Sequence, residues 1–145
     1  MSKSNATEND FVKFVFNAVA MPAYGAALQL NFHTADPGEA GTATTFKPTP
    51  TTYAAQTAAR EGTGWIICDS DGTPNAAGSC AKNANQITFP EVESGFAGTE
   101  TWTHGSVSVI ATGQILYSGA LTQPIIVSAL STPLFPAGTV LFREE

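Results

Sequence analysis

Apolar residues recur with a helical period only at the start of the chain and with a period of two through most of the rest. Phe11, Val15, Ala18 and Val19 fall at helical spacing with Phe14 beside them, which predicts an amphipathic helix over residues 5–21. Asn5 stands where a cap is needed, and Glu8 three positions later completes a capping-box-like pair. Pro22 ends the helix, because the residue before a proline is pushed out of the α region. Such a helix either lids the core of its own domain or docks on a neighbouring subunit, and residues 1–22 form an N-terminal helical arm.

Downstream the alternation is that of half-buried strands. Leu28, Leu30 and Phe32 alternate with Gln29 and Asn31. A short strand is expected at 51–55 and a firmer one at Trp65 to Cys68. Ile87 and Phe89 flank Thr88. Trp102 sits between Thr101 and Thr103 in a strand expected to end at a His104-Gly105 turn, with Val107 and Val109 resuming beyond it. Ile115 to Leu121, Ile125 to Ala129 and Leu134 to Phe142 complete the series. Regular structure stops in a 33–52 loop, where Asp36-Pro37-Gly38 is a turn nucleus and Lys47-Pro48-Thr49-Pro50 a stiff extended end. A loop of that length in a compact domain is usually functional. The segment bracketed by Cys68 and Cys80 is polar and is expected to protrude as a 68–80 loop. Short strands punctuated by Gly, Pro and Asn, with no helix between them, imply a mainly β, single-domain chain. The expected architecture is an antiparallel β-sandwich or jelly-roll-like fold over residues 23–145 with one N-terminal amphipathic helix.

Charge changes this picture more than size does. Charged residues make up 12 % of the 145, against about 25 % for an ordinary soluble domain. Nineteen threonines and many Ala, Gly, Ser and Asn stand in their place. Small side chains enter a contact without the desolvation cost that Lys and Glu carry, so such a surface tolerates being covered. Six Lys and Arg spread against twelve acids leave no basic cluster for phosphate contacts, so direct nucleic-acid binding is not expected. No apolar run reaches the length of a membrane span, and Glu8 and Asp10 stand where a signal peptide needs basic residues; a soluble protein retained in the producing cell is expected.

Candidate chemistry is sparse. His33 has Asp36 three residues on, which would orient an imidazole, but a strand-end histidine bonded to its own loop accounts for the same residues; His104 precedes a glycine in an expected turn. Nucleophile elbow, P-loop and dinucleotide fingerprints are absent. Asp69-Ser70-Asp71-Gly72 opens like a calcium loop, yet Cys80 occupies the place of the terminal glutamate, so a turn is the expected reading. Cys68 and Cys80 are compatible with a disulfide, which would restrain the unfolded chain by roughly 3 kcal/mol, or with two free thiols; a zinc site lacks further ligands. Trp65, Trp102 and Tyr117 would serve a carbohydrate-binding module if exposed, and a core if not. No catalytic residue, metal or cofactor is expected, and the chain is read as non-enzymatic.

The stretch Leu30-Asn31-Phe32-His33-Thr34-Ala35-Asp36-Pro37-Gly38-Glu39-Ala40-Gly41-Thr42 resembles the signature of a family of small tailed-phage virion proteins. The similarity extends to Ser4-Asn5-Ala6, to Tyr53-Ala54 with Arg60 and Trp65, to Asn85 through Pro90, to Leu116 through Leu121 and to Pro133 through Val140, and so spans nearly the whole chain. The Cys68 to Cys80 insertion departs from the family pattern. The resemblance implies a virion structural protein, assembled in the host cytoplasm. Members are commonly labelled tail-fibre or minor tail proteins, while proteins of this size and composition also serve as capsid decoration, or cement, subunits. The leading expectation is a decoration protein, a trimer or dimer that bridges subunits of the major capsid protein; the alternative is a compact tail or fibre-associated protein contacting tail proteins. The expected contact residues are Phe11, Phe14 and Val15 of the helix and His33, Thr34, Asp36, Pro37, Thr44 and Phe46 of the loop.

Overall fold

The computed structural model describes residues 2–143. In chain order it contains β1 (Ser2–Lys3), α1 (Asn5–Asn17), β2 (Ala27–His33), β3 (Gln56–Ala59), β4 (Trp65–Cys68), β5 (Cys80–Asn83), β6 (Ile87–Thr88), β7 (Thr99–Val109), β8 (Ile115–Ser128), β9 (Leu134–Phe135) and β10 (Leu141–Arg143). Five strands form a sheet in the order β1-β8-β7-β2-β3, three form a second in the order β10-β5-β4, and β6 pairs with β9. The strand pairings are antiparallel. The chain is thus mainly β with one N-terminal helix, as its alternation predicts.

The period of two explains which face goes inward. Leu28, Leu30 and Phe32 of β2 pair with Val109, Val107 and Gly105 of β7, and this apolar face meets Trp65, Phe142, Ile87 and Phe89 from the smaller sheets and their flanks in one cluster. Phe32 is its centre: its ring lies 4.9 Å from Phe89, 5.0 Å from Phe135 and 5.5 Å from Trp102, within the range where aromatic pairs gain energy beyond their buried area. Gly105 faces this cluster closely: a Cβ there would stand 3.3 Å from the Leu121 side chain, a tight contact, and 3.5 Å from the Phe32 ring, an ordinary one.

Several boundaries differ from those expected, each for a local reason. The helix is capped by Ser4 rather than Asn5: the Ser4 hydroxyl accepts from the Thr7 amide at 3.3 Å. It ends at Asn17, before Pro22 can act, with Ala18 in the left-handed region at φ 53° and its amide returned to the Lys13 carbonyl. His104-Gly105 is not a turn but the middle of β7, where His104 and Gly105 pair with His33 and Phe32 of β2 and with Ala120 and Gly119 of β8. The two strands expected at 115–121 and 125–129 are one element, β8, whose register shifts opposite Trp102 and His104. Pro124, which has no amide to offer, falls in that irregular stretch. The expected strand at 51–55 is a turn leading into β3. Leu134 to Phe142 divides into β9 and β10. Cys80 to Asn83, expected only to close a loop, is β5, the central strand of its sheet.

One contact seals the core where β3 stops pairing with β2. Register between them ends at Leu30, and the Phe32 amide, facing that side, donates instead to the Tyr53 hydroxyl at 2.8 Å. Burial pushes the Tyr53 phenol up to about 12, the Phe32 amide pulling the other way. Replacing Tyr53 by Phe leaves that buried amide without an acceptor and should cost about 1–3 kcal/mol. Phe32→Ala should cost about 3–5 kcal/mol. Urea titration checks both, with a lowered midpoint at an unchanged slope.

Candidate assembly interface

The face of the large sheet opposite the aromatic core is buried but polar. Asn31 and His33 of β2 and Ser106 and Ser108 of β7 are each at most 2 % exposed. Burying such groups is unfavourable unless each is bonded, and here they bond one another. The Asn31 amide nitrogen donates to Ser108 Oγ at 2.8 Å, and His33 Nε2 lies 2.7 Å from Ser106 Oγ. His33 Nδ1 lies 2.6 Å from the Thr45 carbonyl. A carbonyl only accepts, so Nδ1 carries the proton and Nε2 accepts from Ser106.

What covers this face is the 33–52 loop. The Thr34 amide donates to the Phe46 carbonyl at 2.9 Å, the Ala43 amide donates to the Gly113 carbonyl at 2.9 Å, and Thr42 bridges to Gln114. Two carboxylates hold the proline-rich end. Glu100 accepts from the Thr49 amide at 3.1 Å and from the Trp102 indole at 2.7 Å. Glu93 accepts from the Thr51 amide at 2.9 Å and from the Thr52 hydroxyl at 3.0 Å. Pro48 and Pro50 are buried. The loop is therefore a fitted cover, and it divides the residues expected to make contacts. His33 and Pro37 are buried beneath or within it and present no surface; this corrects their place among contact residues, since the polar network needs His33 inside. Asp36, Thr44 and Phe46 are exposed and Thr34 is partly so. Phe46 is held outward in the left-handed region at φ 50°, 54 % exposed.

The helix is anchored through its first two turns. The Ser4 and Thr7 hydroxyls both donate to the Ile115 carbonyl, the Asn5 amide donates to the Glu39 carbonyl at 3.0 Å, and Gln114 donates to Asp10 at 3.1 Å. Beyond Asp10 the Lys3 ammonium lies 5.7 Å from the Phe11 ring centroid, and Phe11, Val12, Phe14, Val15 and Phe16 are 53, 50, 51, 49 and 78 % exposed. Of the two roles expected for an amphipathic helix, a lid on its own core is not what the structure shows. Thr7 is its one buried residue.

The remaining sequence candidates have structural places. His33 and Ser106 have the spacing of a base and nucleophile, but both are wholly buried, with no surface for a substrate to reach. His104 Nδ1 contacts the neighbouring Thr103 hydroxyl at 2.9 Å. Asp71 accepts from the Thr73 amide at 2.7 Å, forming a turn, and among the described residues no group of three or more His, Cys, Asp or Glu is placed to hold a metal. Cys68 and Cys80 stand directly opposite each other across β4 and β5, buried, as free thiols; burial and the neighbouring thiol push Cys68 up. Trp65 and Trp102 are buried in the core and offer no ring to a sugar, while Tyr117 is half-buried. Sequence reasoning missed an open apolar cleft of about 980 Å³ between the two larger sheets, walled by Leu28, Val107 and Leu116 on one side and Trp65, Ile67 and Phe142 on the other. Its walls come from strands far apart in sequence, so periodicity carries no signal of it. No described helix is long and apolar enough to cross a membrane.

Compared with known proteins, the chain matches one family model over residues 2–143, that of the podophage GP4 fiber I protein gp80. No curated protein matches it.

The seat of the loop is pH-dependent through two groups. Desolvation lowers the His33 pKa below its ordinary value, with His104 adding to this and the Thr45 carbonyl and Asp36 opposing it. The unfolded chain then takes up the proton first, so this contribution is complete above about pH 6.5 and is lost as pH falls. The loop amides hold Glu93 at about 2 against an ordinary 4.5, so its contribution is present above pH 4.5 and lost towards pH 2. The unfolding midpoint should fall in two steps on acidification, and His33→Gln should remove the upper step, which begins below about pH 6.5, while leaving the lower one. Urea titrations at half-unit pH intervals check this. Glu93→Gln should weaken the protein at pH 7 and leave it unchanged near pH 2.

Proposed function

Because the chain belongs to the podophage GP4 fiber I protein gp80 family, and so is a structural protein of a phage virion, we propose that it is a compact, non-catalytic fibre-associated subunit that joins neighbouring proteins through its N-terminal helix. The observation that carries this reading is the apolar surface of α1, anchored at its N-terminal end and left about half or more exposed at Phe11, Val12, Phe14, Val15 and Phe16. Contiguous apolar surface of that kind marks a contact with another macromolecule rather than with water. The low charge of the remaining exterior suits a subunit surrounded by protein.

The one described helix is 13 residues, short of the three to four heptads of a sustained coiled coil, and the described residues show no internal repeat from which a long rigid shaft could be built by this chain alone. A compact element at a fibre's base or junction fits better, contacting other tail proteins and copies of itself as a dimer or trimer. Head decoration on the major capsid protein uses the same kind of surface, and no feature of the fold favours it over a tail position; the family's fibre description is the observation that bears on location. Immunogold labelling of purified virions, with quantitative mass spectrometry, should find a few to a few dozen copies clustered at the tail. Hundreds of copies over the head would replace the fibre reading with the decoration reading, and absence from intact particles would end both.

A further inference from the structure

Two apolar surfaces on this molecule are left without a partner, and they differ in shape. At about 100° per residue, Phe14, Phe11, Val15, Val12 and Phe16 spread over about 200° of the α1 circumference, with Asp10, Lys13 and Asn17 on the remainder. A helix that lies on a flat surface needs an apolar stripe of about 100°. One that is apolar over more than half its circumference suits a site with walls on both sides. The cleft between the sheets is such a site: Leu28 stands on its large-sheet wall and Ile67 on its small-sheet wall, with the buried Val107, Leu116, Trp65 and Phe142 forming its floor. Ile67 is 45 % exposed although it points to the apolar side of its sheet, on the same face as Ala81 and Phe142.

The sizes agree. Two turns of a helix about 10 Å across occupy on the order of 850 Å³, residues 11–16 make up about two turns, and the cleft holds about 980 Å³. Covering a Phe fully removes about 150–250 Å² from water, so the exposed fractions of Phe11, Phe14 and Phe16 leave about 350 Å² of aromatic surface open. That is close to half of the roughly 800 Å² each partner contributes to a standard interface, and it is of the residue class that dominates binding energy.

We propose that residues 11–16 of α1 from one copy of this chain insert into the cleft between the large and small sheets of a second copy. The inference rests on the reading of the protein as an assembling virion subunit and names the surfaces that assemble. The occupant is a second copy rather than the same chain's helix because Ser4, Asn5, Thr7 and Asp10 pin the first two turns to β8, the loop beside it and Gln114, and in that position the helix stands exposed while the cleft stands open. The contact is head-to-tail. Each copy carries one helix and one cleft, so the contact propagates, giving a ring if the rotation closes and a filament if it does not.

Sedimentation of the purified full-length protein tests this. Wild type should form dimers and larger multiples as concentration rises. Phe14→Glu/Phe16→Glu, which spoils the helix, and Ile67→Glu, which spoils the cleft, should each be monomeric alone. Mixed, they should form one-to-one heterodimers and nothing larger, since the pair retains one intact helix and one intact cleft; that recovery also shows both variants are folded. A wild type that stays monomeric at all concentrations overturns the proposal. So does an Ile67→Glu variant that associates as wild type does, which is the result expected if helices bundle with helices, or a mixture that stays monomeric. Virion labelling reports on the fibre reading separately, because a protein found at the tail but monomeric in solution would retain that role and lose this contact.

Discussion

Strand β2 is buried on both faces, and the rest of the architecture follows from what each face requires. One side carries Leu30 and Phe32 and needs apolar cover, which the two small sheets and their flanking segments supply. The other carries Asn31 and His33 and needs polar cover with matched donors and acceptors. The serines of β7 satisfy part of that need, and the Thr45 carbonyl satisfies the last ring nitrogen. A long segment without strands of its own therefore becomes a fixed layer of the protein. It is clamped near its far end by Glu93 and Glu100, whose carboxylates take amides that a strand partner would otherwise take.

This division of labour leaves the exposed apolar surfaces elsewhere. The loop is occupied with its own sheet and offers mainly its rim, including Phe46, to the outside. The helix is tied down at its N-terminal end and bares Phe14 and Phe16 beyond it, and the cleft between sheets is not filled by the chain's own side chains. A subunit that keeps a protruding apolar element and an apolar recess apart remains stable alone and acquires its neighbours without refolding, since the elements concerned are already helical and already paired.

Much of the fold was legible because alternation is a local property. Leu28, Leu30 and Phe32, Trp102, and Ile87 with Phe89 all point inward as their spacing requires. The errors lie where tertiary contact overrides local grammar. Gly105 reads as a turn in isolation but is held in a strand by pairing on both sides; Pro124 reads as a break but sits in a register shift inside one strand. Cys80 reads as the edge of a loop, yet the residues after it form a central strand. The interface was half legible. An apolar stripe at Phe11, Phe14 and Val15 shows in the sequence, whereas the burial of His33 depends on where Thr45 comes to rest, and the cleft depends on the meeting of two sheets.

The placement of Cys68 opposite Cys80 has a practical side. The segment between them leaves and rejoins the framework at one point, its ends fixed by strand pairing. Foreign sequence spliced at the exposed Asp71-Gly72 turn would lengthen it without moving those ends, a change whose entropic penalty grows only with the logarithm of length. That tip is a natural position for displaying an epitope or a fluorophore on the particle, although the Pro74 to Ser79 part of the same segment borders the cleft and is best left unaltered.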